Sequence, residues 1–303
     1  MHQLSNHSQS VLAEIRNYDA FLDSLRTICD MGCGTGEDIH WWATLTTRDD
    51  PPKPYNFNCF AVDTNEAKLA QVPDLPNLHK INKDFNSYPL IPASVDLMWA
   101  HDSLQHSHNP LETLKIWNMS MTVNGMLVVS IPQSNGVEYN RYYSRTYEHC
   151  FYNYTPTSLI YMLAVNGFDC RDAYLLKKFQ DPWIQIAVYK SDVEPMDPAT
   201  TTWQDLIDKN LLHPTIVNSI QKHGHIRQEE IVMPWLDREN YYIDWVPQLT
   251  VIPEGVETTT TGVFNTTEEA AIQRVYQRTK STKETTILKP VGITRPPKGR
   301  YVK

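Results

Sequence analysis

Short apolar runs alternate with helix-like segments through most of the first 190 residues, and this alternation restricts the fold more than any other feature of the chain. "TICDMG" (27–32) reads as a strand that ends in glycine, and "GEDIHWWATL" (36–45) as the helix that follows it. "NCFAVD" (58–63) is a second strand and "TNEAKLAQV" (64–72) a second helix, with "LHKINKD" (78–84) and "SVDLMWAHD" (94–102) as strands three and four. Asn109-Pro110 pairs an N-cap with a first-turn proline and opens a helix expected to stop at Asn124-Gly125. "GMLVVSIP" (125–132) is the most strand-like stretch; Thr155-Pro156 then opens a helix ending at Gly167, and "FDCRDAYLLK" and "WIQIAVYK" finish the pattern. Upstream, Val11, Ile15, Tyr18, Leu22 and Leu25 recur at helical spacing. Strands alternating with helices give a mostly parallel sheet covered on both faces, and such sheets bind ligands at the carboxyl ends of their strands.

Composition narrows the function classes. Hydrophobic residues make up 41 % of the 303, enough for a sizeable core, yet no run approaches the ~20 apolar residues of a membrane span. The polar start "MHQLSNHSQS" and five scattered cysteines (Cys29, Cys33, Cys59, Cys150, Cys170) lead us to expect a cytoplasmic protein with free thiols. The net charge of −8 is uneven: from Arg274 onward nine bases face one acid, leaving −16 on the preceding residues. So acidic a body is a poor partner for nucleic acid. Residues 1–190 form the first expected unit, 191–248 a small helical extension rich in Trp and Tyr, and 249–303 an extended basic tail. Within that tail, Thr266 and Glu269 form a capping box ahead of an expected helix in "AAIQRVYQR" (270–278).

The glycine turn "DMGCGTG" (30–36) admits three readings. A P-loop requires Lys-Ser or Lys-Thr after its glycines, and none follows. A dinucleotide fingerprint requires a third glycine where Glu37 stands. What remains is Asp30-x-Gly32-x-Gly34-x-Gly36, whose glycines let backbone approach a ligand and whose aspartate can accept from an ammonium. Asp63 ends the second strand, where a carboxylate can accept both hydroxyls of a ribose. Asp84 and Phe85 end the third, suited to an adenine amino group and ring.

These motifs, with "VDTNEAKLA", "KDF", "SVDLMWAHDSLQHSHNPLETL" and "NGMLVVSIP", resemble those of class I S-adenosylmethionine-dependent methyltransferases, above all the branch that includes ubiquinone and menaquinone C-methyltransferases. "EHCFYNYTPTSLIYMLAVNGF" (148–168) is similar to the segment after that family's fifth strand. The resemblance implies a doubly wound, Rossmann-like α/β fold with a seven-stranded sheet whose last strand is antiparallel, plus a C-terminal helical and extended extension. It implies S-adenosyl-L-methionine as cofactor, with Asp30, Gly32, Cys33 and Gly34 at the methionine end, Asp63 and Thr64 at the ribose, Asp84 and Phe85 at the adenine. One departure is the "RDDPPKP" loop inserted between Gly32 and Asp63.

Candidate catalytic residues follow the fourth strand. His101 lies where the family's side chains face the methyl group, and His106 matches a frequent histidine; it serves either as a base or as a hydrogen-bonded tie within its loop. The three histidines of "HDSLQHSHNP" match no metal-binding signature, so no metal is expected. Arg141, Tyr143, Arg145 and His149, in "NRYYSRTYEHCFYNY" (140–154), are expected to cap the substrate and to recognise a planar or anionic acceptor. "WAHD" stands where amino-methylating enzymes carry [DN]-P-P-[YF], and no Pro-Cys is present there, which argues against adenine-N6, amide and cytosine-C5 methylation. The expected function is methyl transfer to a small molecule. A tRNA base methyltransferase is one alternative. Another is an assembly protein that keeps the fold and uses residues 191–303 to bind a protein partner or a second copy.

Overall fold

In the computed structural model, residues 19–86, 92–132, 151–152, 154–176, 183–227, 275–279 and 287–291 are described. A seven-stranded sheet occupies the middle, in the order β3-β2-β1-β4-β5-β7-β6. Its strands are β1 (Thr27–Met31), β2 (Asn58–Asp63), β3 (Leu78–Asn82), β4 (Val95–His101), β5 (Met121–Pro132), β6 (Phe168–Leu176) and β7 (Trp183–Lys190). The pairings among β1 to β5 are parallel, while β7 runs antiparallel to both β5 and β6. This is the doubly wound α/β fold expected from the sequence. The order reverses between β1 and β4, so the carboxyl ends of β1, β2 and β4 lie side by side at the switch point where such sheets bind ligands.

Alternate residues of each strand feed two hydrophobic layers. Cys29, Met31, Met98 and Ala100 point to one face, under α4 (Pro110–Ser120) and α5 (Pro156–Val165), which contribute Leu114, Trp117, Leu159 and Leu163. Ile28, Leu97 and Trp99 point to the other, under α1 (Asp19–Ser24), α2 (Glu37–Ala43) and the short α3 (Glu66–Leu69). There Trp42 meets Trp99 and Phe57 edge-on, with centroids 5.9 and 6.2 Å apart. Burial on both faces explains why the strands read as apolar runs rather than as alternating ones.

Two sequence expectations are corrected. The helix opened by Asn109-Pro110 ends at Ser120, and β5 begins at once with Met121, four residues before the expected strand. Met121 pairs with Val95 and is fully buried, and the mismatch is absorbed by an irregular register before Leu97. Asn124, at φ 64°, therefore bends a strand instead of ending a helix. In the basic tail, Val275–Thr279 is a strand (β8) paired antiparallel with β9 (Ile287–Val291), where a helix was expected over 270–278. Val, Tyr and Thr in that stretch favour the extended chain.

The chain after β7 packs back onto the sheet. The helices α6 (Trp203–Asp208) and α7 (Pro214–His223) and the link between them place Leu206, Leu211, Leu212 and Ile216 in the layer that holds Cys170 and Leu163. The Cys170 N–H donates to the Leu211 carbonyl at 2.9 Å, and Tyr161 Oη to that of Thr201 at 2.8 Å. Leu212→Ala is expected to lower the stability of the whole domain by about 2–4 kcal/mol in chemical denaturation, in a single transition.

Candidate active site

The glycine turn is tied to the end of β2. The N–H groups of Gly32 and Cys33 donate to the Val62 carbonyl at 2.8 and 3.0 Å. The Gly34 N–H donates to Asp63 Oδ2 at 2.9 Å, while Asp63 Oδ1 receives the Asn65 N–H at 2.7 Å. Two glycines are required for different reasons. At Gly32 (φ 82°) a Cβ would lie 2.6 Å from Ser103 Cβ, so this turn and the end of β4 touch backbone to side chain. At Gly34 (φ 57°) a Cβ would meet nothing within 4 Å. That open side belongs to a cavity of about 290 Å³ lined by Asp30, Glu37, Asp38, Lys68, His101 and Asp102, together with the turn itself.

Carboxylates dominate the cavity. Asp30 is only 2 % exposed, and burial holds its carboxyl well above the usual range; Asp38, Asp63 and Glu37 raise it further, against one hydrogen bond from the Ile39 N–H. Burial likewise pushes the Cys33 thiol far up, aided by Asp30 and Asp63, so Cys33 is a neutral wall of the cavity and not a nucleophile.

The end of β4 brings in the histidines. His101 Nδ1 lies 3.2 Å from Asp38 Oδ2, the same oxygen that accepts the Trp99 Nε1–H at 2.8 Å. Asp102 follows at φ 54°, its N–H donating to the Ser130 carbonyl at 2.8 Å. Its Oδ1 accepts from Gln105 Nε2, which also stands 3.3 Å from His106 Nε2. His106 thus sits within the hydrogen-bonded network of a 3-10 turn (Leu104–His106), which Phe151 and Tyr154 hold through N–H and O–H donation to the Gln105 and Leu104 carbonyls.

The remaining expected residues are distributed along the same strand ends. Asp84 Oδ1 accepts the Asn86 N–H at 2.9 Å and Asn86 Nδ2 at 2.7 Å, an Asx turn that leaves Oδ2 outside it. The Phe85 ring packs 6.0 Å from that of Trp117 and reaches the glycine turn, with Cε1 3.6 Å from the Cβ position of Gly32. Thr64 faces a wide open groove beside Asn65, Glu66 and Ala70. Arg141, Tyr143, Arg145 and His149 lie outside the described residues. Among the described residues, no three His, Cys, Asp or Glu form a metal-binding group, and no helix is long and apolar enough to cross a membrane. Sequence reasoning missed Asp38, Trp99 and Ser103. An acid two places after Gly36 reads as an ordinary first-turn helix residue, and only the fold carries it to His101.

The strand order with one antiparallel strand, together with a glycine turn at its switch point, defines a class I methyltransferase fold. The chain belongs to the methyltransferase-domain family, whose model matches residues 4–173, and S-adenosylmethionine is the cofactor this fold implies. Among solved structures, the chain is similar to an S-adenosylmethionine-dependent methyltransferase from Archaeoglobus fulgidus, with 15 % identity and TM-score 0.47 over 60 % of this chain and 94 % of that one. It is also similar to one from Mesorhizobium loti (14 %, 0.45, 58 % and 97 %). A third likeness is to Haemonchus contortus phosphoethanolamine N-methyltransferase 2 in complex with S-adenosyl-L-methionine (14 %, 0.46, 58 % and 53 %). No curated protein matches the chain.

The two glycines give separable outcomes. Gly32→Ala, which drives a methyl into Ser103, is expected to cost about 2–5 kcal/mol in denaturation. Gly34→Ala has room and is expected to cost only about 1–2 kcal/mol, from its left-handed backbone, while closing the open side of the cavity. Asp30→Asn tests the electrostatics. A folded-state carboxyl raised above its unfolded value stabilises fully below about pH 4, and that stabilisation is lost as pH rises through the raised value. Without that titration, Asp30→Asn is expected to melt above the wild type at pH 7–8, with the gap closing towards pH 4 in thermal scans.

Proposed function

We propose that this methyltransferase acts on a small-molecule acceptor and holds S-adenosylmethionine across the carboxyl ends of β1 to β4. The observation that carries the reading is the Asp30 carboxyl, 2 % exposed, beside the open backbone of Gly34. A ligand with an ammonium group satisfies that carboxyl, and only a turn without side chains lets it approach. The residues present fit the cofactor in charge as well: four acids line the cavity beside Lys68 and His101, acceptors suited to a ligand bearing both ammonium and sulfonium.

When bound, the cofactor supplies a methyl group already activated on sulfur. The protein's own task is then to bind, orient and exclude water. In this reading Asp30, Gly32, Cys33 and Gly34 take the methionine end. Asp63 and Thr64 take the ribose, each Asp63 oxygen keeping a second lone pair beyond the N–H it already accepts. Asp84 Oδ2 accepts from the adenine amino group and Phe85 packs on its ring. His101 borders both cofactor and acceptor, His106 steadies the loop beneath, and Arg141, Tyr143, Arg145 and His149 cover the acceptor. The resemblance to quinone-methylating enzymes supports a small, planar acceptor, and the acidic body supports it over RNA.

Calorimetric titration with S-adenosylmethionine and S-adenosylhomocysteine tests the reading. Because Asp63 also tethers Gly34 and Asn65, Asp63→Asn is the informative variant. Micromolar binding by the wild type, weakened roughly tenfold or more in the variant, is expected from the loss of a charge-assisted acceptor. A folded wild type that binds neither compound overturns it.

A further inference from the structure

The contact between α2 and the end of β4 has a chemical consequence for His101. Asp38 Oδ2 accepts the Trp99 Nε1–H at 2.8 Å, and an indole N–H can only donate. The same oxygen faces His101 Nδ1 at 3.2 Å, and an oxygen already accepting one N–H has a second lone pair for another. A proton on Nδ1 makes this contact attractive, whereas a bare Nδ1 would set its lone pair against the carboxylate. In a neutral imidazole the other nitrogen, Nε2, holds the lone pair.

Asp38 and His101 both border the cavity and are largely buried, with side chains 9 % and 17 % exposed. Trp99 is fixed in turn: it is 1 % exposed and packed edge-on against Trp42. The orienting carboxylate is therefore itself held by a rigid element of the core, as an effective orienting group must be. Among the described residues, the charged groups that line the cavity with His101 are Asp30 from β1, Glu37 and Asp38 from α2, Lys68 from α3, and Asp102 next to it.

We propose that Asp38 is a positioning residue that fixes His101 as the Nδ1–H tautomer, making Nε2 the proton-accepting atom of the site. The base role rests on the methyltransferase reading; the tautomer does not. A proton taken by Nε2 from an acceptor hydroxyl leaves an imidazolium ion-paired with Asp38, and passes from there to solvent. An imidazole held as Nε2–H would have no lone pair to offer at that atom, so the orientation decides whether His101 can act as a base at all.

Long-range 1H–15N spectra of the 15N-labelled protein at pH 8, with His101 assigned through His101→Gln, read the tautomer directly. The wild type is expected to favour Nδ1–H roughly tenfold or more, the bias one charge-assisted hydrogen bond provides. In Asp38→Leu the population is expected to move to Nε2–H, the form a free imidazole prefers, whereas a purely packing role for Asp38 would leave it unmoved. A wild-type ring found as Nε2–H overturns the proposal without any variant, which covers the case of a variant that does not fold. An unchanged tautomer in folded Asp38→Leu overturns it too. S-adenosylhomocysteine titrated into the same wild-type sample separates the two failures: loss of binding tells against the proposed function, and a wrong tautomer tells against Asp38.

Discussion

The end of β2 anchors the site. The Val62 carbonyl and the Asp63 carboxylate accept two backbone N–H groups each, and three of these four come from the glycine turn. A turn so rich in glycine would otherwise be conformationally loose, because each glycine gives up more freedom on folding than any other residue. Stapled to β2 and pressed against Ser103 after β4, it becomes a rigid edge, and everything else in the cavity is located relative to it. Asp63 thus serves the fold before it meets a ligand.

The cavity shows how a site can work against the stability of the chain that builds it. Asp30 lies beneath the surface with Glu37, Asp38 and Asp63 close enough to raise its proton affinity, an arrangement no folding requirement selects. Packing alone would favour an apolar side chain at the end of a fully covered strand. The conflict is local, and it coincides with the open backbone at Gly34. Local conflict of this kind is where a functional site is to be looked for.

Much of this was legible in the sequence because it depends on short-range rules. Strand-glycine-helix alternation gave the sheet, and the acids that close β1, β2 and β3 marked its binding edge. The rest depended on long-range geometry. Met121 extends β5 because Val95 lies opposite it, and the Asn124-Gly125 pair by itself signals only a turn. The capping box at Thr266 and Glu269 suggested a helix, while the residues after it, from Val275, pair as a hairpin. Asp38 drew no notice, since its importance lies in a single oxygen shared between Trp99 and His101.

The family model matches residues 4–173 and ends in the middle of β6, whereas the packed interior continues through Leu206 and Leu212 to Ile216. The matched stretch and the mechanical unit therefore have different edges here. A piece cut where the resemblance ends would part a strand from the antiparallel neighbour that completes the sheet, and strip one face of its cover. For grafting, trimming or recombining this enzyme, the unit to carry intact is set by which side chains share an interior, and that unit reaches past β7 into α7.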